Sequence, residues 1–150
     1  MSEPHDLGRA IAYCGHLGKL CTDRILRRAG YDVTPAQSHT LMYLSCRSGG
    51  REVSQRDLER ELRLKPSTIN GIVDRLEEKG YVVRRVSPAD GRIRLVGLTE
   101  AGRSKVEDFQ AAMEETERRF YADLSPQEQE QLRSLLARII ANLENEVNNS

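Results

Sequence analysis

Four arginines, Arg84, Arg85, Arg92 and Arg94, fall within eleven residues around the stretch Ser87-Pro88-Ala89-Asp90-Gly91. A guanidinium is always charged and presents a planar fork of N–H donors, so a cluster of them suits phosphate or a groove of negative potential. A second group lies just ahead: Pro66, Ser67, Thr68, Asn70, Gly71 and Arg75, preceded by Ser54 and Gln55. Short hydroxyl and amide side chains at a helix start hydrogen-bond base edges and phosphates, and the helix dipole there favours negative charge. Arg75, set to one side, is placed for a phosphate. Two carboxylates stand among these groups, Asp74 and Asp90, and their expected work is to hold an arginine in a fixed direction, Asp90 that of Arg92. Taken alone, either group also fits an ordinary solvated face.

Chemistry of this kind needs a rigid support, and the flanking residues supply one. Val82, Val83 and Val86 before the turn, with Ile93, Leu95, Val96 and Leu98 after it, have strand composition, which predicts a β-hairpin. Upstream, helices over 55–62 and 66–79 are separated by Arg63-Leu64-Lys65, the spacing of a helix-turn-helix. Ile69, Ile72, Val73 and Leu76 share one face of the second helix, with Leu58 and Leu62 as partners, so that Ser67, Asn70, Gly71 and Asp74 point outward. A hairpin directly after a helix-turn-helix is a wing, and its arginines can enter a minor groove. Thr34-Pro35-Ala36-Gln37 and Ser125-Pro126-Gln127-Glu128 read as capped helix starts, Ser54-Gln55-Arg56-Asp57 as a shorter-armed box, Thr99 as another cap, and Gly30 and Gly80 as stops. Further helices are predicted over 6–29, 35–47, 100–121 and 126–147.

Composition bounds the class. One domain, or one domain with an appended assembly element, accounts for 150 residues, and 38% hydrophobic content with two Phe and no Trp gives an aliphatic core. Formal net charge is zero, yet residues 51–103 carry twelve Lys/Arg against nine Asp/Glu while residues 104–150 carry five against ten, so the middle is the basic part. No bilayer-length apolar run or secretory leader is apparent, so the expected location is cytoplasmic and no membrane partner is expected. Leu7, Ile11, Cys14, Cys21 and Ile25 form one helical stripe, Leu132, Leu135, Leu136, Ile139, Leu143 and Val147 a second, and Val106, Phe109, Met113 and Phe120 a third. Stripes this long predict a symmetric dimer, with a monomeric bundle as the alternative.

The segment SQRDLERELRLKPSTINGIVDRLEEKGYVVRRVSPADGRIRLVGLTEAG resembles the core of the MarR family of winged-helix regulators. The resemblance rests on Pro66-Ser67-Thr68, on Asp74-Arg75-Leu76-Glu77-Glu78-Lys79-Gly80, and on Asp90-Gly91-Arg92 followed by Val96-Gly97-Leu98-Thr99. It implies a mainly α fold with a small β-hairpin wing. The winged helix-turn-helix would occupy 34–99 and dimerisation helices 6–33 and 100–147 of a single 1–150 chain. It also implies a transcription regulator, a repressor, that binds double-stranded DNA as a homodimer on a pseudo-palindromic operator. DNA contacts are expected from Ser54, Gln55, Pro66, Ser67, Thr68, Asn70, Gly71, Arg75, Arg84, Arg92 and Arg94, with Arg92 in the minor groove. Relatives of this kind release DNA on binding a small aromatic or phenolic ligand; here Tyr13, His16, His39, Met42, Tyr43 and Arg47 could line such a pocket, with His39 or Arg47 meeting a carboxylate, while Met42 and the tyrosines could instead be core or interface residues.

Other chemistries have weaker footing. Three cysteines without zinc-type spacing read as reduced thiols, and Cys14 and Cys21 are about 10 Å apart along a helix, too far for a disulfide between them. Redox sensing through Cys14, Cys21 or Cys46 is the alternative mode of regulation. His5, His16 and His39 are scattered, so no metal site is expected. Gly15-His16-Leu17-Gly18-Lys19 has the wrong spacing for a phosphate loop, no nucleophile and base stand together, and neither an enzyme nor a cofactor is expected. The rival outside DNA binding is a helical adaptor whose winged helix docks protein.

Overall fold

Helix starts in this chain are set by reciprocal hydrogen bonds. Thr34 Oγ1 accepts from the Gln37 N–H at 3.3 Å while Gln37 Oε1 accepts from the Thr34 N–H at 3.2 Å. Ser54 and Asp57 repeat the exchange at 3.1 Å in both directions, and Ser125 and Glu128 at 3.2 and 2.8 Å. The structure, a computed structural model, describes residues 6–49 and 51–149. In chain order the elements are α1 (Leu7–Arg28), α2 (Pro35–Met42) running into a π-helical segment (Tyr43–Arg47), β1 (Val53–Ser54), α3 (Gln55–Leu62), α4 (Pro66–Glu78), β2 (Val82–Val86), β3 (Arg94–Leu98), α5 (Glu100–Phe120) and α6 (Pro126–Asn148).

Two features differ from the sequence expectation. The helix expected over 35–47 changes its hydrogen bonding at Tyr43, where the Ser48 N–H reaches back five residues to the Tyr43 carbonyl at 3.2 Å. The expected hairpin is part of a three-stranded antiparallel sheet of order β1-β3-β2, with Val53 opposite Val96 and Arg84 opposite Val96 on the other side. A two-residue strand carries too little alternation to be seen in sequence.

The chain forms two compact units, Met1–Met113 and Glu114–Ser150. In the first, Leu41, Leu44, Leu58, Ile69, Ile72, Val73, Leu76, Val82, Val96 and Val106 make one buried cluster drawn from α2 and its π extension, α3, α4, β2, β3 and α5. Of α1, Thr22 and Leu26 are buried and Cys21 and Ile25 partly so, whereas Leu7, Ile11, Cys14, Leu17 and Leu20 are exposed. The second unit contains the end of α5 and all of α6. Glu115 pairs with Arg118 at 2.8 Å and Arg119 at 3.0 Å. No residue of α6 is buried, and Leu135, Ile140, Leu143 and Val147 are 53–76% exposed. Among the described residues no helix is long and apolar enough to cross a membrane.

At the joint between α4 and α5 two stretches of backbone approach closely. Gly80, at φ +77°, ends α4 with its N–H on the Glu77 carbonyl at 2.9 Å and the Tyr81 N–H on Leu76 at 2.9 Å, a closure that needs the left-handed region. Thr99 then donates its hydroxyl to the Gly80 carbonyl at 2.6 Å and its N–H to that of Tyr81 at 3.1 Å, and caps α5 by accepting from the Gly102 N–H at 3.0 Å. A Cβ on Gly102 would lie 2.0 Å from the Tyr81 carbonyl oxygen. Beside the joint, the Tyr81 hydroxyl donates to Asp32 at 2.9 Å, and Lys105 of α5 lies 3.4 Å from that carboxylate and 5.5 Å from the Tyr81 ring centre.

Burial opposes ionisation of Asp32, but the Tyr81 hydroxyl, its own backbone and Lys105 outweigh it and hold the carboxyl below its ordinary 3.8. A carboxyl lowered by folding adds stability that is fully present above the unfolded value and is lost as pH falls through the folded one. Two outcomes are expected. Gly102→Ala should lower the urea midpoint by the equivalent of about 1–3 kcal/mol, because backbone must move to admit the methyl. Asp32→Asn should cost about 0.2–1 kcal/mol at pH 7, modest because the pair is half-exposed, and the gap to wild type should close as pH is taken below 3.8.

Candidate nucleic-acid interface

Packing decides which side of α4 is free. Ile69, Ile72, Val73 and Leu76 are buried against the core, with Leu58 of α3 fully buried beneath them. Arg63 ends α3 in the left-handed region (φ 52°, ψ 41°), which turns the chain tightly enough for Pro66 to open α4 three residues later. Pro66, Ser67, Thr68, Asn70, Gly71 and Arg75 are exposed on the outer side. Lys65 at the cap makes no side-chain cap bond, so the first N–H groups after Pro66 carry no cap from it and lie beside the exposed Ser67 and Thr68. Arg75 pairs with Glu78 at 3.4 Å with both side chains well exposed, a contact too weak to restrain it.

At the wing, the Asp90 carboxylate accepts from the backbone N–H of Arg92 at 2.9 Å, and the Ser87 N–H donates to the Ile93 carbonyl at 2.8 Å. Asp90 therefore shapes the turn through the main chain of Arg92, where the sequence had suggested a grip on its guanidinium. Arg92 and Arg94 are exposed and make no ion pair among the described residues.

The other two wing arginines are engaged within the protein. Arg85 Nε donates to both Glu52 oxygens, at 2.8 and 2.6 Å, tying the residue before β1 to β2 across β3. Glu52 crosses the sheet at Gly97, where a Cβ would sit 2.8 Å from Glu52 Cγ. The hydrogen bond and charge of Arg85 hold the Glu52 carboxyl below its usual range. Arg84, expected on the DNA face, pairs with Asp74, and with Glu77 at 3.3 Å, and its side chain is only 18% exposed. Strand alternation is the signal that separates it from its neighbours. Val82 is buried, Val83 exposed, and Arg84 on the same side as Val82 must face α4.

Ser54 is engaged in its cap: its hydroxyl also donates to Asp57 at 2.7 Å, and the Asp57 carboxyl is held low chiefly by that hydrogen bond. Gln55 donates to Asn70 Oδ1 at 3.4 Å, with its own buried Oε1 unpartnered among the described residues. The residues expected to line an effector pocket are divided. Tyr13 and His16 are exposed on α1 with rings 6.4 Å apart, His39 is exposed on α2, Met42 and Tyr43 pack on the core, and the Arg47 side chain lies outside the described residues. His5 is likewise outside them. A groove of about 400 Å³ borders Leu20, Asp23, Arg24, Arg27 and Arg28 of α1, none of which the sequence reading singled out. Cys14 and Cys46 are exposed, and no group of three or more His, Cys, Asp or Glu among the described residues could hold a metal.

Comparison with known proteins gives consistent matches. The sequence model of the MarR family matches residues 31–93. The chain is similar to the HTH-type transcriptional regulator YdgJ of Bacillus subtilis (strain 168), 35% identical over 98 residues, which span 65% of this chain and 57% of that protein, somewhat over half its length. It is similar to the HTH-type transcriptional repressor MdtR of the same organism, 30% identical over 107 residues, 71% of this chain and 67% of MdtR. Among solved structures it resembles the S. aureus MepR–DNA complex, with a TM-score of 0.72 and 31% identity over 91% of this chain and 97% of that one.

The geometry makes Gly71 a test of where DNA lies. It sits inside α4 with open space around it, so Gly71→Ala should stabilise the fold by about 0.8–1.0 kcal/mol through helix propensity. The same methyl should weaken binding to operator duplex about tenfold by holding the α4 backbone off the groove. A variant that gains thermal stability and keeps full affinity would place the contact elsewhere.

Proposed function

The chain belongs to the MarR family of winged helix-turn-helix, DNA-binding transcription regulators, and from this premise we propose that it is a homodimeric repressor of a pseudo-palindromic operator, released by a small aromatic or phenolic ligand. The observation that carries this reading is the pairing of two exposed elements on one compact unit. The outer face of α4 presents Ser67, Thr68, Gly71 and Arg75, while the wing presents the side chains of Arg92 and Arg94, exposed and without an ion pair among the described residues. In this reading α4 enters the major groove and Arg92 the adjoining minor groove, where guanidinium is favoured by the negative potential.

Exposed apolar faces support the dimer. Leu7, Ile11, Leu17 and Leu20 on α1, and Leu135, Ile140, Leu143 and Val147 on α6, are 42–76% exposed, rows of large apolar side chains of the kind a partner surface covers. A second copy that covers them also sets two α4 helices one helical turn of DNA apart. For the effector, the arginine-lined groove beside α1 supports an anionic group on the aromatic ligand.

A mobility shift on DNA from upstream of the protein's own gene tests the reading. Affinity should fall about a thousandfold between 50 and 200 mM salt if several phosphates are contacted. The protein should run as a dimer of the 17.0 kDa chain. Leu135→Glu with Leu143→Glu should yield monomers that no longer shift the duplex, and benzoate-type acids should release it from wild type. Binding insensitive to salt would favour the adaptor reading instead.

A further inference from the structure

Two carboxylates on the β2-facing side of a helix that would meet a polyanion require an explanation. Asn70, Asp74 and Glu77 follow one another at intervals of four and three, so they line the side of α4 that faces β2. Arg84 reaches all three. Its Nη1 donates to Asn70 Oδ1 at 2.9 Å, its Nη2 donates to Asp74 Oδ1 and, at 3.3 Å, to Glu77 Oε1, and its backbone N–H donates to Glu77 Oε2 at 3.0 Å. Asn70 in turn donates from Nδ2 to Asp74 Oδ2 at 3.2 Å and accepts from Gln55 Nε2 at 3.4 Å. One guanidinium thus joins the wing strand, the recognition helix and, through Asn70, the first helix of the motif.

The chemistry of the partners fixes the Asn70 amide. A guanidinium has only donors and an ionised carboxylate only acceptors, so Oδ1 must face Arg84 and Nδ2 must face Asp74. Both acceptor positions of Oδ1 are then taken, by Arg84 and Gln55. One Nδ2 hydrogen goes to Asp74, and the other is what Asn70 has left to offer. The bidentate contact of asparagine with adenine needs a donor and an acceptor together. We propose that Arg84 is a positioning residue for DNA recognition: it holds β2 against α4, offsets Asp74 and Glu77 against the phosphate backbone, and leaves Asn70 a donor alone, which can meet any single base-edge acceptor (guanine O6 or N7, thymine O4, adenine N7) but not the paired N6/N7 contact by which asparagine favours adenine. The Arg84 guanidinium stays charged throughout, since its hydrogen bond to Asp74, against a smaller opposing effect of burial, raises its pKa further.

The inference rests on the DNA-binding reading, and selection from a duplex pool with a randomised central segment separates the two. Wild type, Arg84→Met, Arg84→Lys, Asn70→Ala and Arg84→Met with Asp74→Asn are each selected, and affinity for the wild-type consensus is measured at two salt concentrations. Arg84→Met should lose about tenfold in affinity through the uncompensated carboxylates, and the added Asp74→Asn should recover most of it. At the base pair whose preference Asn70→Ala abolishes, Arg84→Met should gain adenine, and the double variant should keep that altered preference. Arg84→Lys, which retains charge without the planar fork, should fold if Arg84→Met does not and should show the same altered preference.

An unchanged consensus at unchanged affinity in the Arg84 variants overturns the proposal. So does a loss that Asp74→Asn fails to rescue and that lowers the salt slope by about one, since that would mark Arg84 as a direct phosphate contact. A wild-type protein that enriches no sequence overturns the DNA-binding reading itself.

Discussion

The packing of the α4–β2 turn onto the first turn of α5 governs how α4 is held. Gly80 and Tyr81 offer carbonyls to Thr99, and the backbone of Gly102 lies so close to that of Tyr81 that no side chain fits between them. Contacts of backbone on backbone have little compliance, because neither side can rotate a side chain out of the way. The end of α4 therefore cannot shift without carrying the start of α5. Asp32, Tyr81 and Lys105 add a polar collar to the same joint from the α1–α2 connection. An element docked this way is suited to place side chains in a groove, where an error of an ångström removes a hydrogen bond.

Charge is organised locally around that frame. The whole chain is neutral, and even the wing does not offer all its cations to solvent. Arg84 and Arg85 are taken up by Asp74, Glu77 and Glu52, while Arg92 and Arg94 are left free of ion pairs among the described residues. The inner pair acts on the protein and the outer pair is available to a partner. Each internal bridge also spans separate elements: Arg84 joins β2 to α4, and Arg85 joins β2 to the residue before β1. Exposed ion pairs contribute little to stability on average, so their value here lies in fixing geometry.

Much of this was legible in the sequence, because the relevant signals were local. Capping boxes at Thr34, Ser54 and Ser125 gave helix starts at the observed residues, and the apolar face of α4 was read from its period. What escaped was non-local. β1 is two residues long and exists only because β3 has a free edge. Glu52 and Arg85 are 33 residues apart, and their meeting depends on the sheet register and on Gly97 leaving room. Arg84 was grouped with the other wing arginines by residue type, although the strand alternation that begins at buried Val82 already separated it from Arg85. The change to π-helical bonding at Tyr43 had no sequence signal, since an apolar stripe marks a face and does not specify the size of the hydrogen-bonded ring.

The terminal helix poses the remaining physical problem. α6 runs from Pro126 to Asn148 with a complete cap at its start, yet none of its residues is buried. A cap contributes about 1 kcal/mol, and an isolated helix in water is marginal even when its sequence is favourable, because most helical stability in proteins comes from covering an apolar face. Ile139 and Ile140 each lie one turn before Leu143 on such a face, and charged side chains at Arg138, Glu144 and Glu146 lie around them. Apolar surface concentrated in this way is stable as helix only to the extent that something apolar is laid over it. The same demand falls on the exposed Leu7 and Ile11 of α1.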